Sequence, residues 1–227
     1  MAGTGPKLQF GPVIDAVVFD LDGVLLQSEE VWDAVRERYV RERGGRYDED
    51  VQRAMMGMSA PEWSRFLHEE AGVPDDMDEI NSEVVRRMLA AYRKELPLLP
   101  GAVEAVQRTA AAFPLALASS SNREVFEEVL ELAGIADCFS ATVSSEEVER
   151  GKPAPDVYLE AARRLGVDPT YCAAVEDSHA GIRSAKAAGM RVVAIPNAAY
   201  PPDEEALELA DAVVRSLDEL TVGVLVG

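Results

Sequence analysis

Val17-Val18-Phe19-Asp20-Leu21-Asp22-Gly23-Val24-Leu25 decides how this chain of 227 residues is read. A short apolar run, Ala16 to Phe19, ends in two carboxylates spaced i, i+2. Val and Phe favour strands and no polar residue interrupts the run, so a strand buried on both faces is expected. Side chains at i and i+2 leave a strand on the same side, which gathers Asp20 and Asp22 at its C-terminal end. In an open parallel sheet that end is where ligands bind. Gly23 lets the chain turn sharply just beyond the pair. Adjacent carboxylates repel, and a cation, a shared proton or water relieves them. Asp and Gly are also ordinary residues of solvated turns, so the rest of the chain has to decide between the two readings.

Outward from this strand the pattern changes twice. From about Glu29 to Arg43, Val31, Trp32, Val35, Tyr39 and Val40 recur at helical spacing, with Ser28 as the expected N-cap and Gly44-Gly45 as the stop. Further helices are expected over Asp48 to Met56, Ala60 to Glu70 with Pro61 in its first turn, and Asp78 to Tyr92. Met55, Met56 and Met58 read as packing residues. No strand is predicted between 28 and 96. Leu96-Pro97-Leu98-Leu99-Pro100-Gly101 marks a junction. Beyond it helices (Ala102 to Ala112, Arg123 to Ala133, Pro155 to Leu165, Ala180 to Ala188, Asp203 to Leu209) alternate with strands (Leu115 to Ala118, Ala141 to Val143, Cys172 to Val175, Arg191 to Ile195, Ala212 to Val214). That alternation predicts an α/β fold, a parallel sheet with helices on both faces. The division expected is a sheet domain from 1–27 and 97–227, with 28–96 inserted as an all-helical unit.

Composition narrows the function classes. The formal net charge is −19, and no cluster of Lys and Arg offers a nucleic-acid surface. An anionic substrate would need a local cation to reverse the field. Cys138 and Cys172 show no zinc or CxxC spacing and read as free thiols. No apolar run approaches the ~18 residues of a membrane span. Met1 to Pro12 is Gly/Pro-rich without a signal-peptide core, so a loose terminus and a cytoplasmic protein are expected. His68 and His179 are the only histidines, which leaves no room for a multi-His metal site.

Three further strand ends carry polar residues. Leu115 to Ala118 runs into Ser119-Ser120-Ser121-Asn122, where hydroxyls and free amides can cradle an anion or simply cap a helix. Gly151-Lys152-Pro153 holds a lysine between residues that constrain the backbone, a candidate for the missing positive charge. Cys172 to Val175 ends in Glu176-Asp177-Ser178, a second acidic pair whose hard oxygens suit Mg²⁺.

In order and spacing, Asp20-Leu21-Asp22-Gly23, Ser119, Lys152-Pro153 and Glu176-Asp177 resemble the haloacid dehalogenase superfamily. Gly151-Lys152-Pro153-Ala154-Pro155-Asp156 and Glu176-Asp177-Ser178-His179-Ala180-Gly181-Ile182 resemble its β-phosphoglucomutase-like branch. The resemblance implies a Rossmann-like core with the helical insertion as a cap that closes over the site. It implies Asp20 as nucleophile and Asp22 as general acid and then base. The implied Mg²⁺ site is Asp20, the Asp22 backbone carbonyl, Asp177 and, directly or through water, Glu176. Ser119 and Lys152 would bind the transferring phosphoryl group, helped by the hydroxyls and amides of Leu21, Gly23, Ser120, Ser121 and Asn122.

The function expected is a phosphatase for a small phosphorylated metabolite, such as a sugar phosphate, in a monomer or dimer. A sugar phosphomutase is the alternative. Mutases of the branch carry an arginine just after a Gly-x-Ser turn and a histidine in the first cap helix. Here Gly57-Met58-Ser59 is followed by Ala60, Trp32 stands at the histidine position, and Gln27 replaces the usual acid. Arg36, Arg53 and Arg65 read as surface arginines rather than holders of a second anionic group. Dehalogenases lack the second Asp of the pair, and a catalytically silent binding protein is disfavoured by the intact motifs. Substrate contacts are expected from Gln27 and Ser28 at the hinge and from Trp32, Gly57, Met58 and Ser59 in the cap. Trp63 is expected in the cap core.

Overall fold

The structure, a computed structural model, describes residues 14–197 and 200–227. The expected loose stretch Met1 to Pro12 lies outside them. Six parallel strands form one sheet in the order β3-β2-β1-β4-β5-β6. They are β1 (Ala16–Phe19), β2 (Leu115–Ser119), β3 (Phe139–Ser144), β4 (Cys172–Glu176), β5 (Arg191–Ala194) and β6 (Ala212–Val213). The central strand β1 is buried throughout. Val17 and Phe19 face one apolar cluster, Ala16 and Val18 the other, as strand alternation requires. Full burial of side chains such as Val17 and Phe19 contributes roughly 1.5–3 kcal/mol each.

Helices α5 (Ala102–Ala110) and α6 (Arg123–Leu132) pack on the first face. Helices α7 (Asp156–Leu165), α8 (His179–Ala187) and α9 (Glu204–Leu209) cover the second. Most elements match the sequence reading to within one or two residues, and two differences stand out. Strand β3 is longer than expected, and Val222–Val226 forms a short helix, α10, where the sequence analysis places nothing. The β-branched Val222-Gly223-Val224 run hides that helix, which Thr221 caps by accepting the Val224 amide while Leu225 is buried.

Between β1 and α5 lie α1 (Glu29–Glu42), α2 (Glu49–Met55), α3 (Ala60–Glu69) and α4 (Met77–Lys94), with no strand. Helix α4 starts where Asp76 accepts the Glu79 amide, and α3 where Ser59 and Glu62 form a capping box. Ser28 does not cap α1: its hydroxyl makes no cap bond and lies buried against Tyr92. The two chain passages between the helical insertion and the sheet run side by side. Leu26 bridges Leu98, the Gln27 amide donates to Pro97 at 2.8 Å, and the Leu99 amide donates to Leu25 at 2.9 Å.

The topology sets the site. From β1 the chain order runs to β2 and β3 on one side and to β4, β5 and β6 on the other. The crevice at that switch point, beyond the carboxyl ends of β1 and β4, is where such sheets bind ligands. Phe19 pairs in register with Val175, so Asp20 and Glu176 leave adjacent strands side by side.

Candidate active site

Asp20, Lys152, Glu176 and Asp177 converge at that crevice, and all four are buried. Lys152 Nζ donates to Asp20 Oδ1 at 2.7 Å and to Glu176 Oε1 at 2.6 Å. The same Glu176 oxygen accepts the Tyr158 hydroxyl at 2.6 Å. Its other oxygen accepts the Asp177 amide at 3.1 Å and the Ser178 amide and hydroxyl at 3.3 and 3.2 Å. Two glycines make these approaches possible. A Cβ on Gly23, which stands at φ +83°, would fall 1.9 Å from Asp177 Oδ2, and one on Gly181 would fall 1.8 Å from Glu176 Oε1. The DxDG glycine thus admits the second acidic pair as well as turning the chain.

Burial, with Glu176 and Asp22 adding to it, pushes the Asp20 carboxyl up to about 8 in spite of Lys152. Burial first, then Glu176 and Asp20, pushes Asp177 well above the usual carboxylate range. Burial alone would lower Lys152, but Asp20 and Glu176 outweigh it and hold the ammonium charged. Three carboxylates, each offering an oxygen within 4.8 Å of the others, therefore face one cation. The negative surplus and the all-oxygen donor set fit a hard divalent cation. Both oxygens of Glu176 already accept from several protein donors.

Asp22 points elsewhere. Its Oδ2 accepts the Ser121 hydroxyl at 2.7 Å and faces Ser119 Oγ at 3.4 Å, and Trp32 Nε1 lies 3.4 Å from its Oδ1. The two carboxyls of the opening motif thus sit in different surroundings, Asp20 among charges and Asp22 among neutral donors. Ser119 is fully buried and accepts the Ser121 amide at 3.0 Å, which shapes the loop after β2.

Two adjoining clefts open on this centre. One, of about 110 Å³, is lined by Asp20, Asp22, Ser120, Lys152, Asp177 and Ser178 from the sheet side, and by Glu29, Met56 and Gly57 from the helices. His179, Ala180, Asn197 and Tyr200 complete its rim. The second, of about 50 Å³, lies under the helices between Asp22, Ser120 and Ser121 on one side and Glu29, Trp32, Arg36, Met55, Gly57, Met58 and Trp63 on the other.

Several expected contacts fall elsewhere. The Asn122 amide is spent on Asn81 Oδ1 at 3.0 Å and Glu146 Oε1 at 2.8 Å, joining α4 to the sheet domain rather than facing the cleft. The Gly23 amide donates to Leu26 at 2.8 Å, inside its own turn, and the Leu21 side chain is core. Ser59 gives both its amide and its hydroxyl to Glu62. Gln27 and Ser28 line neither cleft, because the first is held in the paired passages and the second faces Tyr92. Arg36 is no surface residue: it is 9% exposed and lies against the rings of both Trp32 and Trp63, whereas Arg53 and Arg65 are exposed. Trp63 is core, as expected, and also walls the second cleft. Glu29, Arg36, His179 and Tyr158 were missed by sequence reasoning. The spacing Glu29, Trp32, Arg36 (i, i+3, i+7) puts those three on one helix face and could have revealed two of them. Tyr158 carried no signal, since an aromatic on the buried face of α7 reads as core.

Over most of its length the chain is similar to known proteins. The family profile of the haloacid dehalogenase-like hydrolases matches residues 14–189. Hexitol phosphatase B of Escherichia coli (strain K12) is 34% identical over 218 residues, covering 93% of this chain and 96% of its own length. The bifunctional riboflavin kinase/FMN phosphatase of Arabidopsis thaliana is 35% identical over 203 residues, 88% of this chain, but the chain spans only about half (53%) of that relative. The crystal structure of CbbY from Rhodobacter sphaeroides in complex with phosphate superposes with a TM-score of 0.83 at 27% identity, covering 94% of this chain and 99% of that one.

Proposed function

Because the chain belongs to the haloacid dehalogenase-like hydrolases and is a phosphoric monoester hydrolase like its phosphatase relatives, we propose that it is a Mg²⁺-dependent phosphatase of small phosphomonoesters. Residues 28–96 act as its cap, moving on the paired passages around Leu26 and Leu98. The observation that carries this reading is the split between Asp20 and Asp22. One is buried against Lys152 and the acidic cluster, the other is turned toward Ser121 and Trp32. Two carboxyls held in different environments can serve as nucleophile and as proton carrier.

In the first step Asp20 attacks phosphorus and the ester P–O bond breaks. Asp22 gives its proton to the departing oxygen, so an alcohol leaves and an aspartyl-phosphate remains. In the second, Asp22 takes a proton from water, the resulting hydroxide attacks phosphorus, and inorganic phosphate leaves as Asp20 is restored. Lys152, with Ser119 and the amides of the loops after β1 and β2, supports the charge on the transferring group. Asp20 and Asp177, with the Asp22 carbonyl and Glu176 through water, would hold Mg²⁺, which when bound neutralises the acidic surplus and polarises a phosphoryl oxygen. Glu176 in this reading chiefly positions Lys152.

Phosphate release across a panel of sugar phosphates and small phosphomonoesters, with Mg²⁺ or EDTA, tests the proposal. Mg²⁺-dependent release that disappears in Asp20→Asn is the expected result. Isomerisation of a hexose 1-phosphate primed by a bisphosphate would favour the mutase, and activity surviving Asp20→Asn would refute the assignment of the nucleophile.

A further inference from the structure

Arg36 is the one charged side chain among the buried groups of the helical insertion that lack a hydrogen-bond partner in the described residues, beside the hydroxyls of Ser28 and Tyr92. It is 9% exposed, and its guanidinium carbon lies 4.7 Å from the Trp32 ring centroid and 5.2 Å from that of Trp63. A cation–π contact of this kind gives none of the guanidinium's N–H donors an acceptor. Its Nε is buried without a hydrogen-bond partner, and no described carboxylate comes within 4.0 Å to form an ion pair. The nearby Asp33 is engaged by the Tyr47 hydroxyl at 2.7 Å. Glu29 stands seven residues earlier, two turns along the same face of α1. Its carboxylate opens on the same cleft as Arg36, next to Asp22 and Ser121. Donor and acceptor act on each other only through their fields. Leaving a buried guanidinium unpaired beside a partly buried carboxylate is costly unless a third party bridges them.

We propose that Glu29 and Arg36 are specificity residues that grip the hydroxyl groups of an uncharged polyol or sugar tail on the phosphomonoester. A hydroxyl donates and accepts at once, so neighbouring hydroxyls satisfy Glu29 and Arg36 together. A carboxylate or second phosphate at that end satisfies Arg36 alone and is repelled by Glu29 and Asp22. Trp32 and Trp63 wall the cleft and would lie beside the carbon side of the tail. The proposal rests on the phosphatase reading and narrows its substrate to monoesters with a neutral polyhydroxyl end.

Binding and turnover separate the two ideas. Titration calorimetry with Mg²⁺ and Asp20→Asn protein compares a hexitol 6-phosphate, a hexose bisphosphate, a phosphorylated sugar acid and methyl phosphate. Hydrolysis of the same four by the wild type tests the reaction itself. The expected order places the hexitol phosphate first, with the two charged-tail compounds at least about tenfold weaker. Glu29→Gln and Arg36→Met, each added to Asp20→Asn, raise the Kd for the hexitol phosphate by about 10- to 100-fold, the range for hydrogen bonds to charged groups. Neither changes the Kd for methyl phosphate, which has no tail. Glu29→Gln, isosteric and at a partly buried position, keeps the test open if Arg36→Met does not fold. Glu29→Gln also narrows the gap to the charged-tail compounds. Preference for the bisphosphate or the sugar acid overturns the proposal in favour of an anion subsite, and equal effects of the variants on methyl phosphate reduce the pair to a structural role. Hydrolysis absent from all four while tail selectivity persists in binding counts against the phosphatase reading and leaves the pair's assignment standing.

Discussion

Replacing Gly181 by alanine sets two physical effects in opposition. Gly181 lies in the first turn of α8, where alanine is favoured over glycine by up to about 1 kcal/mol. Its amide bond to Ser178 Oγ would survive the change. Helix propensity alone therefore predicts a more stable protein. Packing predicts the reverse, because the new Cβ would lie 1.8 Å from Glu176 Oε1, 1.9 Å from Cδ and 2.0 Å from Oε2. Carbon and oxygen need roughly 3.5 Å, so the carboxylate must retreat by about 1.5 Å. It is fully buried and pinned by Lys152, Tyr158, the Asp177 amide and Ser178. Giving up one or two hydrogen bonds to a buried charge costs about 1.5–3 kcal/mol each. After the propensity gain, the net loss is about 0.5–5 kcal/mol, a fall of roughly 1–20 °C in Tm for a chain of this size. Because Lys152 is held by that carboxylate, kcat should fall by about 10²-fold, the usual consequence of a 1 Å misplacement. Thermal melts and phosphate release read both effects. On a Glu176→Ala background Gly181→Ala should turn neutral or stabilising, since nothing remains for the Cβ to strike. A single variant as stable and active as the wild type would refute the claim that Glu176 is pinned and that it positions Lys152.

Lys152→Met leaves Asp20 and Glu176 buried without their shared cation, and urea unfolding should show a loss of about 3–5 kcal/mol, partly restored by added Mg²⁺. The acidic cluster also makes stability and metal affinity pH-dependent. With Asp20 raised to about 8 and Asp177 raised too, the metal-free native state holds more protons than the unfolded chain from the ordinary carboxylate range up to about pH 8. Stability in EDTA should therefore fall as pH rises through that window. Mg²⁺ must displace those protons, so its affinity rises over the same range. Melts at pH 6 and pH 8 should show a larger Mg²⁺-induced Tm increase at pH 8, and a smaller one would contradict the assignment of the cluster as the metal site.

The amino-acid sequence by itself determined the parallel sheet, the helical insertion and the placing of Asp20, Lys152 and Glu176-Asp177 at strand ends. The reason is that buried parallel strands and amphipathic helices write distinct periods, and polar residues ending an apolar strand stand out against them. Only the tertiary structure decided what each polar group bonds to. Asn122, Ser59 and Ser28 carry the same donors and acceptors as true ligand contacts, yet the packing of α4 and the capping of α3 engage the first two elsewhere, and the third is buried outside both clefts. Tyr158 and Arg36 show the converse. One looked like core and the other like surface, until α7 brought a hydroxyl onto Glu176 and two tryptophans from separate helices closed over a guanidinium. Local pattern reports which face of an element is buried. Which groups meet across that buried face depends on contacts between residues far apart in the chain, and those exist only once the elements have packed.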